Sequence, residues 1–203
     1  MTQEFKLQPV DILVNVNRGT DPWSVAKRWA VGPYSHAFVF LGKMGLLADY
    51  RHGRIMRFPM LFESNGRGAV IQSLSNRYGQ EVDVMRLRSE YYRRRVGSIL
   101  REAINLASDS QAYYDYSVII WHIIPRILFE KLHLPIPLKY QRDEKMICSE
   151  AVLEVFLRAR IPIVLPHVVP LPGDFVDSLI LEEVWHGKLS PDWVATRLHY
   201  QAR

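Results

Sequence analysis

The chain has 203 residues, of which 48% are hydrophobic, 11% aromatic and 23% charged. That composition sustains one elaborated domain with a sizeable core, 1–203, and excludes disordered, low-complexity, collagen-like and coiled-coil classes. The net charge of +5 gives a mild attraction to anionic surfaces without the dense basic footprint of a nucleic-acid binder, and the single cysteine excludes an intramolecular disulfide.

The opening residues, MTQEFKLQPVD, carry acidic and polar side chains where a signal peptide needs an apolar run. The longest apolar stretch, 118–129, is interrupted by His122, Pro125 and Arg126 and is shorter than the ~18 residues of a spanning helix. The expectation is a cytoplasmic protein without a membrane span; a phage-encoded or exported origin suits the same sequence.

Residues 10–16, VDILVNV, alternate in period 2 and predict a first strand, closed by the turn cluster NRGTDP. PWSVAKRWAV (22–31) predicts a short amphipathic helix ended by Gly32-Pro33. In YSHAFVFLG, His36, Phe38 and Phe40 point to one face of a strand, and Ala37, Val39 and Leu41 to the other. Both faces are apolar, so this strand is expected to be covered on both sides. Residues 46–63 read as strand segments with turns near His52-Gly53 and Pro59, followed by a strand in GRGAVIQSL and another at 82–88, VDVMRLR.

From Glu90 to Ala107 the residues Tyr92, Val96, Ile99, Leu100, Ala103 and Ala107 recur at helical spacing, with Arg93, Arg94, Arg95 and Arg101 on the remaining arc. Residues 117–133 predict a helix bent or divided at Pro125, and an apolar, Pro-marked excursion occupies about 117–145. CSEAVLEVFLRA (148–159) predicts a third helix, and 175–184 a final short one.

Chemistry concentrates at Cys148. A thiol at the start of a helix meets unpaired N–H groups and the positive end of the macrodipole, which stabilise its anion. His36 opens a strand expected to be buried and needs a polar partner there; a thiolate on a helix N-terminus is one. A third group would fix the imidazole tautomer, and of two candidates following His36, Glu63 is preferred over Asp49: the apolar setting Met60-Leu61-Phe62 makes an unpaired carboxylate costly, whereas Asp49 sits in a hairpin expected to be exposed. Tyr113-Tyr114-Asp115 stands as a cleft rim, and the backbone N–H of Cys148 or of its neighbour Ser149 as an oxyanion donor. Cys148, His36, His52 and Glu63 are metal-ligating types without paired ligand spacing, so no metal or cofactor is expected. The remaining histidines, His186 among them, read as surface or packing residues.

The order DIL, GPYSHAFVFLG, FESNGRGAVIQSL, VDVMRLR, YYDY and MICSEAVLEVF, over roughly residues 10–180, resembles the circularly permuted members of the NlpC/P60 superfamily, the YiiX/YaeF-like papain-like amidases. The resemblance implies an α+β, papain-like fold: a small antiparallel sheet packed against helices. It also implies Cys148 as nucleophile, His36 as general base, Glu63 as the orienting residue, and Tyr34 as lining the site and helping to stabilise an oxyanion, beside Ser149 and Tyr114 from the residue reading above. The implied activity is thiol hydrolysis of an amide in a peptidoglycan peptide, small peptide or acyl-amide. Two other functions are compatible: an acyltransferase like the lecithin:retinol acyltransferases, with lipid contact through the apolar excursion, and a non-catalytic virion domain. The 27 positions between His36 and Glu63 imply an insertion over 43–60, which keeps Asp49 as an alternative.

Overall fold

The alternating segments assemble into one antiparallel sheet. The computed structural model describes residues 5–20, 25, 32–49, 54–65, 68–109, 147–164 and 170–193. Within them lie strands β1 (Ile12–Val16), β2 (Tyr34–Asp49), β3 (Arg54–Asn65), β4 (Gly68–Ser73), β5 (Glu81–Leu87) and β6 (Leu181–Lys188), in the spatial order β4-β3-β2-β1-β5-β6. Every neighbouring pair is antiparallel. The first strand therefore runs through the interior of the sheet, and Ile12, Leu13 and Val14 are all fully buried.

Alternation along β2 separates two cores. Ala37, Val39 and Leu41 join Ile12, Val14, Phe62, Met85 and Leu87 beneath the helices. Phe38 and Phe40 join Leu13, Leu61, Leu74, Val82 and Val84 in a second cluster. The 37–41 part of β2 is thus covered on both sides, as its sequence predicts.

Three helices are fully described: α1 (Glu90–Arg93), α2 (Val96–Ser108) and α3 (Cys148–Arg158). Ile99, Ala103 and Leu106 bury one stripe of α2, while α3 is buried continuously from Cys148 to Phe156. Burying Val152, Leu153, Val155 and Phe156 contributes on the order of 1.5–3 kcal/mol each, so the helix that carries Cys148 is anchored along its length. No described helix is long and apolar enough to cross a membrane.

Several boundaries differ from the sequence expectation. The helix predicted from Glu90 to Ala107 is interrupted at Arg94–Arg95, between α1 and α2. No turn forms at Pro59: β3 continues through it, opposite Lys43. The β3–β4 ladder ends at Met60↔Ser73, so on that side the proline's missing N–H costs no ladder bond. The helix predicted at 175–184 is instead a 3₁₀ turn (Pro172–Phe175) followed by β6. Here LEEVWHGK uses period 2 to pair with β5, Leu87↔Leu181 through Glu81↔Lys188.

The insertion expected over 43–60 is a long β2–β3 hairpin, paired from Val39↔Phe62 to Asp49↔Arg54. A bulge interrupts it between Phe40 and Gly42, where Gly42 has φ +89° and a Cβ would come within 3.2 Å of Pro9 Cγ; only glycine adopts this corner without strain. The predicted helix at 22–31, apart from Val25, and the excursion at 117–145 lie outside the described residues.

Candidate active site

The site forms where two strands part. On the site side of Val39 and Phe62 the β2–β3 ladder stops; from there His36 pairs only with Asn15 of β1, and Glu63 with Val70 of β4. The Phe40 N–H donates to the Asp11 carbonyl of the neighbouring chain segment at 2.9 Å. By alternation the Ala37 N–H points the other way, to where β3 would have continued the ladder. It donates to the sulfur of Cys148 instead.

Cys148 is the first residue of α3, and the sulfur also accepts the N–H of Ser149 and a hydrogen bond from His36. The turn is held by Glu150, whose carboxylate accepts the Ile147 N–H at 2.9 Å, a carboxylate favourably placed at a helix N-terminus. The opposite side of the imidazole is taken: His36 Nε2 lies 2.8 Å from Glu63 Oε2, leaving Nδ1 to face the sulfur. The His36 side chain is 20% exposed and that of Glu63 is fully buried.

Burial alone would push the Cys148 thiol up, but the adjacent imidazolium and the hydrogen bonds from His36, Ala37 and Ser149 hold it below its ordinary value. Burial likewise lowers His36, yet the thiolate and Glu63 outweigh it and raise the imidazole to about 9. Glu63 is pushed up by burial and brought below the usual carboxylate range by His36 and Arg77. The three groups thus favour a thiolate–imidazolium pair backed by a carboxylate.

Glu63 is enclosed by donors. Arg77, in the 3₁₀ turn Leu74–Arg77, donates from Nη2 to Oε1 at 2.7 Å and to Oε2 at 2.6 Å, and from Nε to Oε2 at 3.1 Å. Gln72 Nε2 donates to Oε1 at 2.5 Å and Asn65 Nδ2 at 3.3 Å. An ionised carboxyl without exposure is tolerated only with such a set.

Of the residues singled out from sequence, Cys148, His36 and Glu63 meet. Asp49 does not join them: it ends β2 opposite Arg54, thirteen residues beyond His36, on the order of 40 Å along an extended strand. The Ser149 hydroxyl is fully buried and donates to the Pro170 carbonyl at 2.6 Å, so it braces α3, while the Ser149 N–H, the oxyanion donor expected from sequence, faces the sulfur of Cys148. The Tyr34 hydroxyl donates to Asp83 Oδ2 at 2.8 Å; burial and that carboxylate push it well above the ordinary tyrosine value, and this donor is committed to Asp83 and not to an oxyanion. Its ring lies against Gly173, where a Cβ would come within 3.3 Å of Tyr34 Cδ2. Tyr114 lies outside the described residues.

Sequence reasoning missed Arg77, Gln72 and Asp83, whereas His186, read as a surface or packing residue, is 39% exposed. Asp83 carried a signal, being a charge between Val82 and Val84 in a buried strand. Its Oδ1 meets His186 Nδ1 across the β5–β6 pair, and His186 Nε2 reaches Glu81 Oε1 at 3.0 Å. No local pattern marked Arg77 or Gln72, which approach Glu63 only through the β3–β4 pairing and the turn that follows it.

No protein-family model matches this chain, and no curated protein is significantly similar to it in sequence. Among solved structures, one described as the crystal structure of the metalloprotein YiiX from Escherichia coli O157:H7, DUF1105, is similar with a TM-score of 0.58 and 16% identity. The match covers 90% of this chain and 98% of that one. The chain therefore shares the YiiX-like fold, α+β with its sheet packed against helices.

Proposed function

We propose that this protein is a cysteine hydrolase of the permuted NlpC/P60 type that cleaves an amide bond through an acyl-enzyme. The observation that carries the reading is the sulfur of Cys148, at the first residue of α3, hydrogen-bonded to an imidazole whose Nε2 is 2.8 Å from a buried carboxylate. The thiolate of Cys148 attacks the amide carbonyl carbon, and the resulting oxyanion faces N–H groups of the first turn of α3, which a helix leaves without intrahelical acceptors. The His36 imidazolium gives its proton to the departing amine. Neutral His36 then takes a proton from water, which attacks the thioester and releases the acid. Glu63 holds the ring and stabilises its charge throughout. Peptides and acyl-amides are the substrate classes of this reading.

The metal of the YiiX description fits these residues poorly. Both Glu63 oxygens are occupied by donors, and the Arg77 guanidinium, on the same carboxylate, would repel a cation placed there. Among the described residues no group of three or more His, Cys, Asp or Glu is arranged to hold a metal ion.

The test is iodoacetamide alkylation followed by intact mass, combined with trapping of the acyl adduct from an activated ester. Cys148 should alkylate much faster than free cysteine below pH 7 and should carry the acyl group. Alkylation no faster than the free thiol would sink the reading.

A further inference from the structure

Arg77 approaches both members of the His–Glu pair. Its Nη2 donates to both oxygens of Glu63 and lies 3.4 Å from His36 Nε2. The guanidinium is fixed from behind, 5.8 Å from the centre of the Phe38 ring, and Leu74, at the start of its turn, is fully buried. Among the described residues, the ionisable groups facing His36 are Cys148 from α3, Glu63 from β3 and Arg77 from the 3₁₀ turn. Two of these favour the imidazolium and one opposes it.

We propose that Arg77 is a positioning residue that tempers the His–Glu pair: it clamps the carboxylate in the plane His36 uses and sets a fixed cation beside the ring, so that the imidazolium gives up its proton. This inference rests on the proposed hydrolase chemistry for its purpose, but not for its physics. Without Arg77, Glu63 would turn its full charge on His36 and the nearby positive charge would vanish. Both changes tighten the proton on the ring, making it a poorer acid toward a leaving amine.

The experiment is an NMR titration of the His36 ring from pH 5 to 11 in the wild-type protein and in the Arg77→Met, Arg77→Gln and Arg77→Lys variants, with alkylation of Cys148 followed in parallel. The two neutral variants should raise the His36 midpoint by ~1 pH unit or more, while Arg77→Lys, which keeps the charge and loses the fork, should stay near wild type. A purely structural arginine would lower thermal stability and leave the midpoint of the folded protein unchanged. An unmoved midpoint in a folded neutral variant overturns the inference, as does failure of both neutral variants to fold, which would make Arg77 a clamp alone. A midpoint that rises while wild-type Cys148 alkylates like free cysteine would leave the electrostatic role standing and remove the hydrolase reading instead.

Discussion

Among the described residues the sheet carries two histidine–carboxylate pairs, and one of them meets the sulfur of Cys148. His36 and Glu63 lie where β2 and β3 separate, with the carboxylate fully buried and the sulfur of α3 on the far side of the ring. His186 and Asp83 lie on β6 and β5, with His186 39% exposed and Asp83 tied to the Tyr34 hydroxyl. Both imidazoles are raised: His186 chiefly by its hydrogen bond to Asp83, His36 against strong burial by Cys148 and Glu63. A histidine–carboxylate contact is thus an ordinary product of antiparallel pairing. What distinguishes the first pair is the interrupted ladder, which lets a helix N-terminus reach the ring.

Replacing the carboxylates should separate the pairs most. Glu63→Gln leaves Arg77 and the imidazolium facing an uncharged amide in a buried position, at a cost of about 3–5 kcal/mol in denaturant unfolding. Since the Glu63 pKa is depressed on folding, its contribution is present above the unfolded value and lost as pH falls through the folded one. The gap between wild type and variant should therefore narrow in acid. A Glu63→Gln protein of wild-type stability would mean that the buried cluster is not ionised.

His36→Ala acts on reactivity. The wild-type alkylation rate should rise as pH passes the lowered Cys148 value and hold until His36 deprotonates at about 9. The variant leaves a buried thiol without its cation, and the rate below pH 7 should fall ~100-fold. His186→Ala should leave that profile untouched, and any displacement of it would join the two pairs into one network.

Gly42→Ala provides a destabilised control at the hairpin bulge, expected to cost on the order of 1 kcal/mol or more from its positive φ while preserving the alkylation profile. The smallest effect belongs to the stability of His186→Ala, below about 1 kcal/mol for an exposed pair. Because the folded His186 pKa is raised, that contribution is fully present below the unfolded value and disappears as pH climbs through the folded one. A stability difference that grew with pH would contradict a protonated His186.

Much of the core was written in local periodicity. Ile12 to Val14 and the alternation of Ala37 to Leu41 specify covered strands without reference to anything distant, because side chains two apart share a face. The short helix expected at 175–184 failed for a different reason: period 2 is present in LEEVWHGK, and the partner strand β5 holds 181–188 extended. Pairing across a sheet is non-local, and no window around LEEVWHGK contains its partner.

The candidate site divides in the same way. Helix-start chemistry at Cys148 and the awkwardness of an imidazole in an apolar strand were properties of short segments, and so was the apolar setting of Glu63. The separation of Asp49 from His36, the diversion of the Tyr34 hydroxyl to Asp83 and of the Ser149 hydroxyl to Pro170, and the grip of Arg77 on Glu63 depended on register and on where a ladder stops. Sequence fixes which groups a segment carries and which face they take. Hydrogen-bond geometry between segments distant along the chain decides which of those groups are spent on one another and which are left to act on a substrate.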